Sequence, residues 1–133
     1  MTDTGPTSIP ALSAATAERH GDQLAAVDGD TRLTWSELHD RARTFGAALL
    51  ASGVEPGDRV ALWAPNSAEW IVAAHGLFQA GAVLVPVNTR FKGAEAADIL
   101  ARSRARARCR RTYTMSVEQA RISATSSLDS SSR

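Results

Sequence analysis

The sequence has 133 residues, which suits one small domain or part of a larger one and excludes two full domains. Its net charge of +1 hides an asymmetry, because residues 1–101 carry seven basic and twelve acidic side chains while residues 102–133 carry eight and two. A single cysteine, Cys109, excludes an internal disulfide, and no apolar run is long enough to span a membrane. The first ten residues lack the basic and apolar segments of a signal peptide, so we expect an intracellular, cytoplasmic protein.

The first predicted elements are a helix and a hairpin, which follow a flexible N-terminus at residues 1–7. Ser8 can cap a helix that carries Pro10 in its first turn, where a backbone N–H would lack a partner anyway, and this helix ends near His20. Two β-prone runs flank a DGD sequence and predict a short hairpin within residues 24–35.

The next predicted element is an amphipathic helix. Thr34 and Glu37 have the spacing of a capping box, in which the hydroxyl and the carboxylate each accept a hydrogen bond from the other residue's backbone N–H. Apolar residues then recur at intervals of three and four, and Gly53 suits the left-handed position that closes the helix. The predicted buried stripe consists of Trp35, Leu38, Ala42, Phe45 and Leu49.

A strand, a helix and a second strand follow within about thirty residues. The unbroken apolar run at 60–64 predicts a parallel strand covered on both faces. Asn66 and Glu69 repeat the capping spacing and predict the start of a helix. A second buried strand is predicted at 82–87 and stops at Pro86. This order predicts a βαβ unit and an α/β fold.

The pattern changes after a further predicted helix that begins at Gly93. An α/β succession would continue into a third apolar strand, but arginines occupy alternate positions from Arg102 to Arg110. Neither a strand nor a helix of this stretch would present a face suited to burial. Residues 102–133 also contain eight serines and eight arginines, a composition typical of disorder. We therefore predict a partial domain at 8–101 and a basic, disordered tail at 102–133.

Four stretches of the predicted domain resemble one family in order and in spacing. LTWSEL at 33–38 and LFQAGAVLVPVN at 77–88 resemble the first two conserved core motifs of the AMP-forming acyl-CoA synthetases and the related adenylating ligases. GVEPGDRVALWAPNSAEW is similar to the segment that joins these motifs, and TSIPALSAATAERHGDQLAAV to the family's opening segment. The NTRF sequence after Pro86 resembles the acyl-CoA ligase branch. The resemblance covers about residues 8–101 and implies the opening part of the family's large N-terminal domain.

The resemblance implies a reaction in which ATP and a carboxylic acid give an acyl-adenylate, and coenzyme A then displaces AMP. It also implies Mg²⁺, a Ser/Thr/Gly-rich phosphate loop of the form TSGTTGxPK, and a lysine on a C-terminal domain. None of these motifs occurs in the sequence, so we assign no catalytic residue and no metal ligand. We expect an N-terminal fragment of an acid–thiol ligase that is inactive alone and binds none of ATP, Mg²⁺ or CoA well.

Arg90 is the candidate binding residue. The resemblance implies that an arginine at this position lies near the phosphate of the CoA nucleotide, and a guanidinium fork suits phosphate. The alternative is a surface ion pair or a loop anchor. We interpret Asn88 as a turn residue that bonds nearby backbone, His75 as a packed helical histidine and Cys109 as a bystander thiol. The tryptophans are interpreted as core residues, namely Trp35, Trp63 and Trp70.

The arginine-rich stretch leaves two alternatives open. It is out-of-frame sequence that replaces the family's continuation after about Ala105, or it is a tail that binds nucleic acid through phosphate contacts. In the second case the chain is a non-catalytic scaffold rather than a ligase fragment. The sequence contains nothing that links an acyl ligase to nucleic acid, so we favour the first alternative.

Overall fold

The computed structural model describes residues 5–103 and the backbone of residues 112–115. The elements are α1 (Ile9–His20), β1 (Leu24–Asp28), β2 (Thr31–Thr34), α2 (Trp35–Ala51), β3 (Arg59–Trp63), α3 (Ala68–Gln79), β4 (Val83–Val87), α4 (Gly93–Ser103) and β5 (Thr112–Met115). The described strands form an antiparallel pair, β1–β2, and a parallel sheet in the order β4–β3–β5. This arrangement confirms the predicted α/β class.

Short-range capping signals set the starts of the first two long helices. The Ser8 hydroxyl accepts a hydrogen bond from the backbone N–H of Ala11 at 3.3 Å, which confirms the predicted cap of α1. Thr34 Oγ1 accepts from the Glu37 N–H at 3.2 Å, and Glu37 Oε2 accepts from the Thr34 N–H at 2.9 Å. This reciprocal pair confirms the predicted capping box of α2. Gly53 follows α2 with a φ of 93°, as predicted for the left-handed position.

Helices α2 and α3 pack with their backbones in close contact. A Cβ atom on Gly46 would lie 2.8 Å from the carbonyl oxygen of Gly76, and one on Gly76 would lie 2.9 Å from that of Ala42. The two glycines therefore let the helices approach more closely than larger residues permit. Around them lies the main core, whose members include Phe45, Leu49, Val60, Leu62, Ala73, Ala74 and Leu77.

The predicted βαβ unit is present, with β3 and β4 paired in parallel from Arg59↔Val83 to Trp63↔Val87. The predicted cap of α3 was wrong by one residue. Ser67, not Asn66, is the N-cap, and its hydroxyl accepts from the Trp70 N–H at 3.1 Å. The Asn-x-x-Glu spacing predicted a bond from the Glu69 N–H to Asn66, but the Ser67 hydroxyl accepts from the next N–H along the chain, and a serine cap needs no acidic residue three positions later.

Strand β3 is covered on both faces, as its apolar run predicted. Val60 and Leu62 on β3 belong to the main core formed with α2 and α3. Ala61 belongs to a second core on the opposite face, which includes Ala96 of α4. Alternate residues of one strand thus face opposite helical layers, as the two-residue period of a strand requires.

The prediction that no third strand follows α4 was wrong. Thr112–Met115 forms β5, which pairs in parallel with β3 from Arg59↔Thr112 to Leu62↔Met115. The strand uses the four residues TYTM beyond the alternating arginines, and threonine and tyrosine favour extended backbone. Helix α4 also continues to Ser103, two residues past the predicted domain boundary. The remaining parts of the predicted tail, at 104–111 and 116–133, lie outside the described residues, as do residues 1–4 of the predicted flexible N-terminus.

Over residues 5–103, every helix is too short or too polar to cross a bilayer.

Candidate functional site

The larger candidate cleft lies at the carboxyl ends of β3 and β4. Its volume is about 590 Å³, and the segments that leave the two strands form most of its wall. In α/β folds, ligands bind in crevices outside the carboxyl ends of parallel strands, so this position favours a binding role. The lining residues are Ala64, Pro65, Asn66, Trp70, Pro86, Val87, Asn88, Thr89, Arg90 and Phe91.

Asn88 organises the loop that follows β4. Its side-chain Oδ1 accepts a hydrogen bond from the Arg90 N–H at 2.9 Å, and its carbonyl oxygen accepts from the Phe91 N–H at 3.1 Å. These two bonds confirm the interpretation of Asn88 as a turn residue that bonds nearby backbone. They fix the backbone of Arg90 while the side chain of that residue stays exposed.

Arg90 is the cationic residue among the described residues that line this cleft. Within residues 5–103, no carboxylate lies within ion-pair distance of it, and the ion pair found there joins Arg102 to Asp98 instead. The surface ion pair considered as an alternative for Arg90 is therefore not seen in this part of the chain. An exposed guanidinium beside amide and hydroxyl groups suits a phosphate or carboxylate ligand.

Helix α4 begins directly after this loop and holds Lys92 in place. The Lys92 N–H donates to Glu95 Oε2 at 3.0 Å, and the Lys92 carbonyl accepts from the N–H groups of Glu95 and Ala96 at 3.0 and 3.1 Å. Lys92 therefore occupies the cap position of α4, and its side chain is exposed but does not line the cleft. The sequence analysis did not single out this residue, although its position two residues after Arg90 could have indicated it.

A second, smaller cleft of about 360 Å³ lies between the hairpin and α3. It shares Asn66 and Trp70 with the larger cleft, so the two form neighbouring parts of one surface. Asp28 Oδ2 accepts a hydrogen bond from the Ala68 N–H at 3.0 Å, at the N-terminus of α3. A carboxylate of the chain itself thus occupies the place where a helix N-terminus attracts an external anion.

The other residues that the sequence singled out lie in packed positions or outside the described part. His75 is half-buried, and its ring contacts that of Phe78 edge-on with centroids 6.3 Å apart. Burial lowers the pKa of His75 below its ordinary 6.5, and the charge of His39 lowers it further. Trp70 packs against the main core and also lines both clefts, so its interpretation as a core residue was incomplete. Cys109 lies outside the described residues.

The fit of the site to Mg²⁺ and ATP is poor in this part of the chain. Among residues 5–103, no group of three His, Cys, Asp or Glu side chains is arranged to hold a metal ion. The glycine- and lysine-containing phosphate loop is likewise missing from the sequence. We therefore derive no chemical step through ATP or Mg²⁺ from these residues.

The sequence is similar to curated CoA ligases from Rhodococcus and Mycobacterium. It is 50% identical over 99 residues to the 3-[(3aS,4S,7aS)-7a-methyl-1,5-dioxo-octahydro-1H-inden-4-yl]propanoyl:CoA ligase of Rhodococcus jostii, and 44% identical over 96 residues to the ligase of that name from Mycobacterium tuberculosis. These matches cover 74% and 72% of this chain but 19% of each relative. The chain therefore spans about a fifth of the length of these relatives.

Solved structures with the same fold include N-terminal parts of larger enzymes. The N-terminal domain of FACL13 from Mycobacterium tuberculosis matches with a TM-score of 0.72 and 26% identity, covering 91% of this chain and 36% of that one. The N-terminal subdomain of NpsA from Klebsiella oxytoca matches with a TM-score of 0.77 and 22% identity, covering 89% and 32%. The second match supports the fold alone.

The family match extends over most of the chain. The family described as AMP-binding enzyme matches residues 13–131, a range that includes both conserved motifs, the cleft and β5. The chain therefore belongs to the AMP-binding enzyme family, that of the AMP-forming acyl-CoA synthetases, and corresponds to the opening part of their N-terminal domain.

Proposed function

We propose that this chain is the opening segment of an ATP-dependent acyl-CoA synthetase, which joins a carboxylic acid to CoA and releases AMP and pyrophosphate. The observation that carries the proposal is the family match over residues 13–131, together with similarity to curated CoA ligases. A cytoplasmic location suits such a reaction and belongs to the proposal. The substrate of the complete enzyme is a carboxylic acid with a bulky ring system, by analogy with the relatives from Rhodococcus and Mycobacterium.

The 133-residue chain alone is proposed to be inactive in adenylation. Its sequence lacks the phosphate loop and the acidic and lysine motifs that the family uses on ATP. Without backbone N–H groups and cations to compensate phosphate charge, the transition state has no stabilisation from this segment. Acid-dependent exchange of labelled pyrophosphate into ATP tests this point, and exchange above the protein-free rate would disprove it.

The proposed contribution of the larger cleft is a contact between Arg90 and a phosphate of CoA. The support is the exposed guanidinium at the carboxyl end of β4, on a backbone fixed by Asn88. Loss of a charged hydrogen bond costs about 1.5–3 kcal/mol, so Arg90→Ala is expected to weaken CoA binding about tenfold or more. Because the chain alone is expected to bind CoA weakly, calorimetric titration at high CoA concentration measures this, with Arg43→Ala, an exposed arginine on α2, as the matched control. Equal weakening by the two substitutions would argue against the contact.

A second candidate function depends on the net charge of +6 over residues 102–133. In that case the chain is a scaffold whose arginines bind nucleic acid by release of counterions. Gel-shift titrations at increasing salt test it, and the absence of binding at low ionic strength would rule it out.

The frameshift hypothesis for the same segment also stays open. The family match continues through residues 102–131, and β5 lies within that range, which favours continuity of the family sequence. The alignment with the Rhodococcus ligase covers only 99 of the 133 residues, which is compatible with out-of-frame sequence in the part that does not align. Translation of the downstream DNA in all three frames decides the question, because a phosphate-loop motif in a shifted frame would establish the frameshift.

A further inference from the structure

The larger cleft is lined by both asparagines of the chain, Asn66 and Asn88, which differ in how they are held. Asn88 Oδ1 accepts the Arg90 N–H at 2.9 Å, and the Asn88 carbonyl accepts the Phe91 N–H at 3.1 Å. Asn66 is exposed, and within residues 5–103 neither its side chain nor its backbone takes part in a hydrogen bond. The amide of Asn88 is therefore fixed, whereas that of Asn66 is free to rotate.

The residue that follows Asn66 has a fixed position. Ser67 is the N-cap of α3, and its hydroxyl and carbonyl oxygens accept the N–H groups of Trp70 and Ile71 at 3.1 and 3.2 Å. The Ser67 N–H itself has no hydrogen-bond partner among residues 5–103. An N–H outside a hydrogen bond exchanges its proton with solvent far more readily than a bonded one. The Ser67 nitrogen can therefore act as a nucleophile toward the neighbouring Asn66 side chain.

We propose that Asn66 is a modification site, at which the side chain deamidates through a cyclic imide with the Ser67 nitrogen. The deprotonated Ser67 nitrogen attacks Asn66 Cγ, a C–N bond forms, and the bond from Cγ to the side-chain nitrogen breaks. That nitrogen leaves with its electron pair, takes up the proton and departs as ammonia. Water then opens the imide at either carbonyl, which gives aspartate or isoaspartate at position 66. The only co-reactant is water, and nothing is oxidised or reduced.

The hydrogen bonds of the Asn88 turn oppose the same reaction at that residue. Ring closure requires rotation of the side chain and of the backbone, and at Asn88 these rotations would break the bonds from Arg90 and Phe91. Loss of two such bonds slows the reaction about tenfold. The residue that follows, Thr89, is also β-branched, so its side chain hinders the approach of its own nitrogen.

The sequence alone would select a different site. Asp28 precedes Gly29, the least hindered neighbour, and an aspartate forms the same imide with loss of water. The Asp28 Oδ2 atom, however, accepts the Ala68 N–H at 3.0 Å, so this side chain is held against the start of α3. The contacts of the folded chain therefore move the expected site from Asp28 to Asn66.

Deamidation changes the charge of the larger cleft. Each modified chain gains one carboxylate in the wall that also contains Arg90. This negative charge weakens the binding of any anion there, whether phosphate or carboxylate. It also lies at the N-terminus of α3, where the helix dipole favours a negative charge over a neutral amide. The inference needs no bound CoA, so its failure and that of the proposed function are separate outcomes.

The test compares the two asparagines within one chain. Thr89→Ser gives both the same following residue and leaves the backbone donors of the Asn88 turn in place. The variant is incubated at mildly alkaline pH, folded or in urea, and is then cleaved after Glu69, so that each asparagine lies in its own peptide. Mass spectrometry follows the replacement of the amide by a carboxylate in each peptide. We expect Asn66 to deamidate about tenfold faster than Asn88 in the folded chain and at about the same rate in urea.

A second variant tests the role of the Ser67 nitrogen. Ser67→Thr keeps a hydroxyl that can cap α3 but adds a β-branched side chain beside the nucleophile. We expect severalfold slower deamidation of Asn66 and no change at Asn88, with an unchanged helix content by circular dichroism. Equal rates at the two asparagines in the folded Thr89→Ser chain would overturn the proposal. An Asn66 rate that does not respond to Ser67→Thr would overturn the cyclic-imide route.

Discussion

The two ends of the parallel sheet are built differently. At the amino end, the turn before β3 is tied to the turn before β4, because the Gly57 N–H donates to the Gly81 carbonyl at 2.8 Å and the Val83 N–H to the Asp58 carbonyl at 2.7 Å. The Asp58 side chain is 1% exposed, and its Oδ2 accepts from the Glu55 N–H at 2.9 Å. This end is closed by the chain's own hydrogen bonds.

The carboxyl end is open by comparison. Pro65, Asn66, Asn88 and Arg90 are all exposed there, and the two loops that carry them leave the larger cleft between them. Arg59, at the amino end, differs from the exposed Arg90, because its guanidinium donates a hydrogen bond to the Ser103 carbonyl and holds the C-terminus of α4. The hydrogen bonds of the amino end stabilise the sheet, and the open carboxyl end agrees with the proposed binding role, because ligands of α/β folds bind outside the carboxyl ends of the strands.

The largest expected difference between the ends involves two glycines. Gly81, at the closed end, has a φ of 73°, and an added Cβ would lie 3.2 Å from Pro56 Cβ. Gly81→Ala is therefore expected to lower the free energy of unfolding by about 2 kcal/mol. Gly93, next to the open loop, has nothing within 4 Å of its added Cβ and begins a helix. Gly93→Ala is expected to change stability by less than about 1 kcal/mol, in the stabilising direction.

Urea denaturation of the two variants measures this difference. If Gly81→Ala lowers the free energy of unfolding no more than Gly93→Ala does, the amino end is not the more tightly packed end of the sheet.

A smaller difference is expected between Asp58 and Asn88, which make similar local bonds at opposite ends. Each side-chain oxygen accepts a backbone N–H at 2.9 Å, but the bond of Asp58 is partly buried and that of Asn88 is exposed. The second oxygen of Asp58 is buried without a partner among the described residues, so burial of the carboxylate offsets part of the gain. We expect Asp58→Ala to cost about 1.5 kcal/mol and Asn88→Ala about 0.5 kcal/mol.

Chemical denaturation and CoA titration together check this pair. Asn88→Ala is expected to affect CoA binding more than stability, because it frees the backbone of Arg90. The reverse order of stability effects would contradict the division between a closed and an open end.

Local chemistry explains which parts of the fold could be predicted from the sequence. The cap of α1, the capping box of α2 and the Asn88 turn each involve residues two or three apart, and all three predictions were confirmed. The unbroken apolar run of β3 likewise predicted burial on both faces. Such signals depend on neighbouring residues alone and need no knowledge of the tertiary structure.

Long-range contacts explain what could not be predicted. Strand β5 pairs Thr112 with Arg59 across more than fifty positions, and its four residues give too short a signal by themselves. The hydrogen bond between Asp28 and Ala68 joins residues forty positions apart. Both residues line the second cleft, and no local sequence pattern indicates this contact. Arg90 stood out only through the family resemblance, and Lys92 only through its contacts with the first turn of α4.

The smallest expected effect is a pH dependence of stability that comes from His75. This residue lies on helix α3 and at neither end of the sheet. The pKa of His75 is lowered in the folded protein, first by burial and then by His39. Protonation therefore favours the unfolded chain, and stability that is fully present above the ordinary pKa of 6.5 is lost as the pH falls below it. Because His75 is half-exposed and screened by solvent, we expect a loss of less than about 1 kcal/mol.

Urea denaturation between pH 7.5 and pH 5 measures this loss, with His75→Gln as the variant that removes it. The window is distinct from that of Glu37, whose pKa is lowered from 4.5 by the hydrogen bond from the Thr34 backbone, so that its contribution is lost only at more acid pH. A slope that persists in His75→Gln would place the titrating group elsewhere in the chain. A slope that disappears would show that His75 on α3, and no group at either end of the sheet, causes the pH dependence of stability in mild acid.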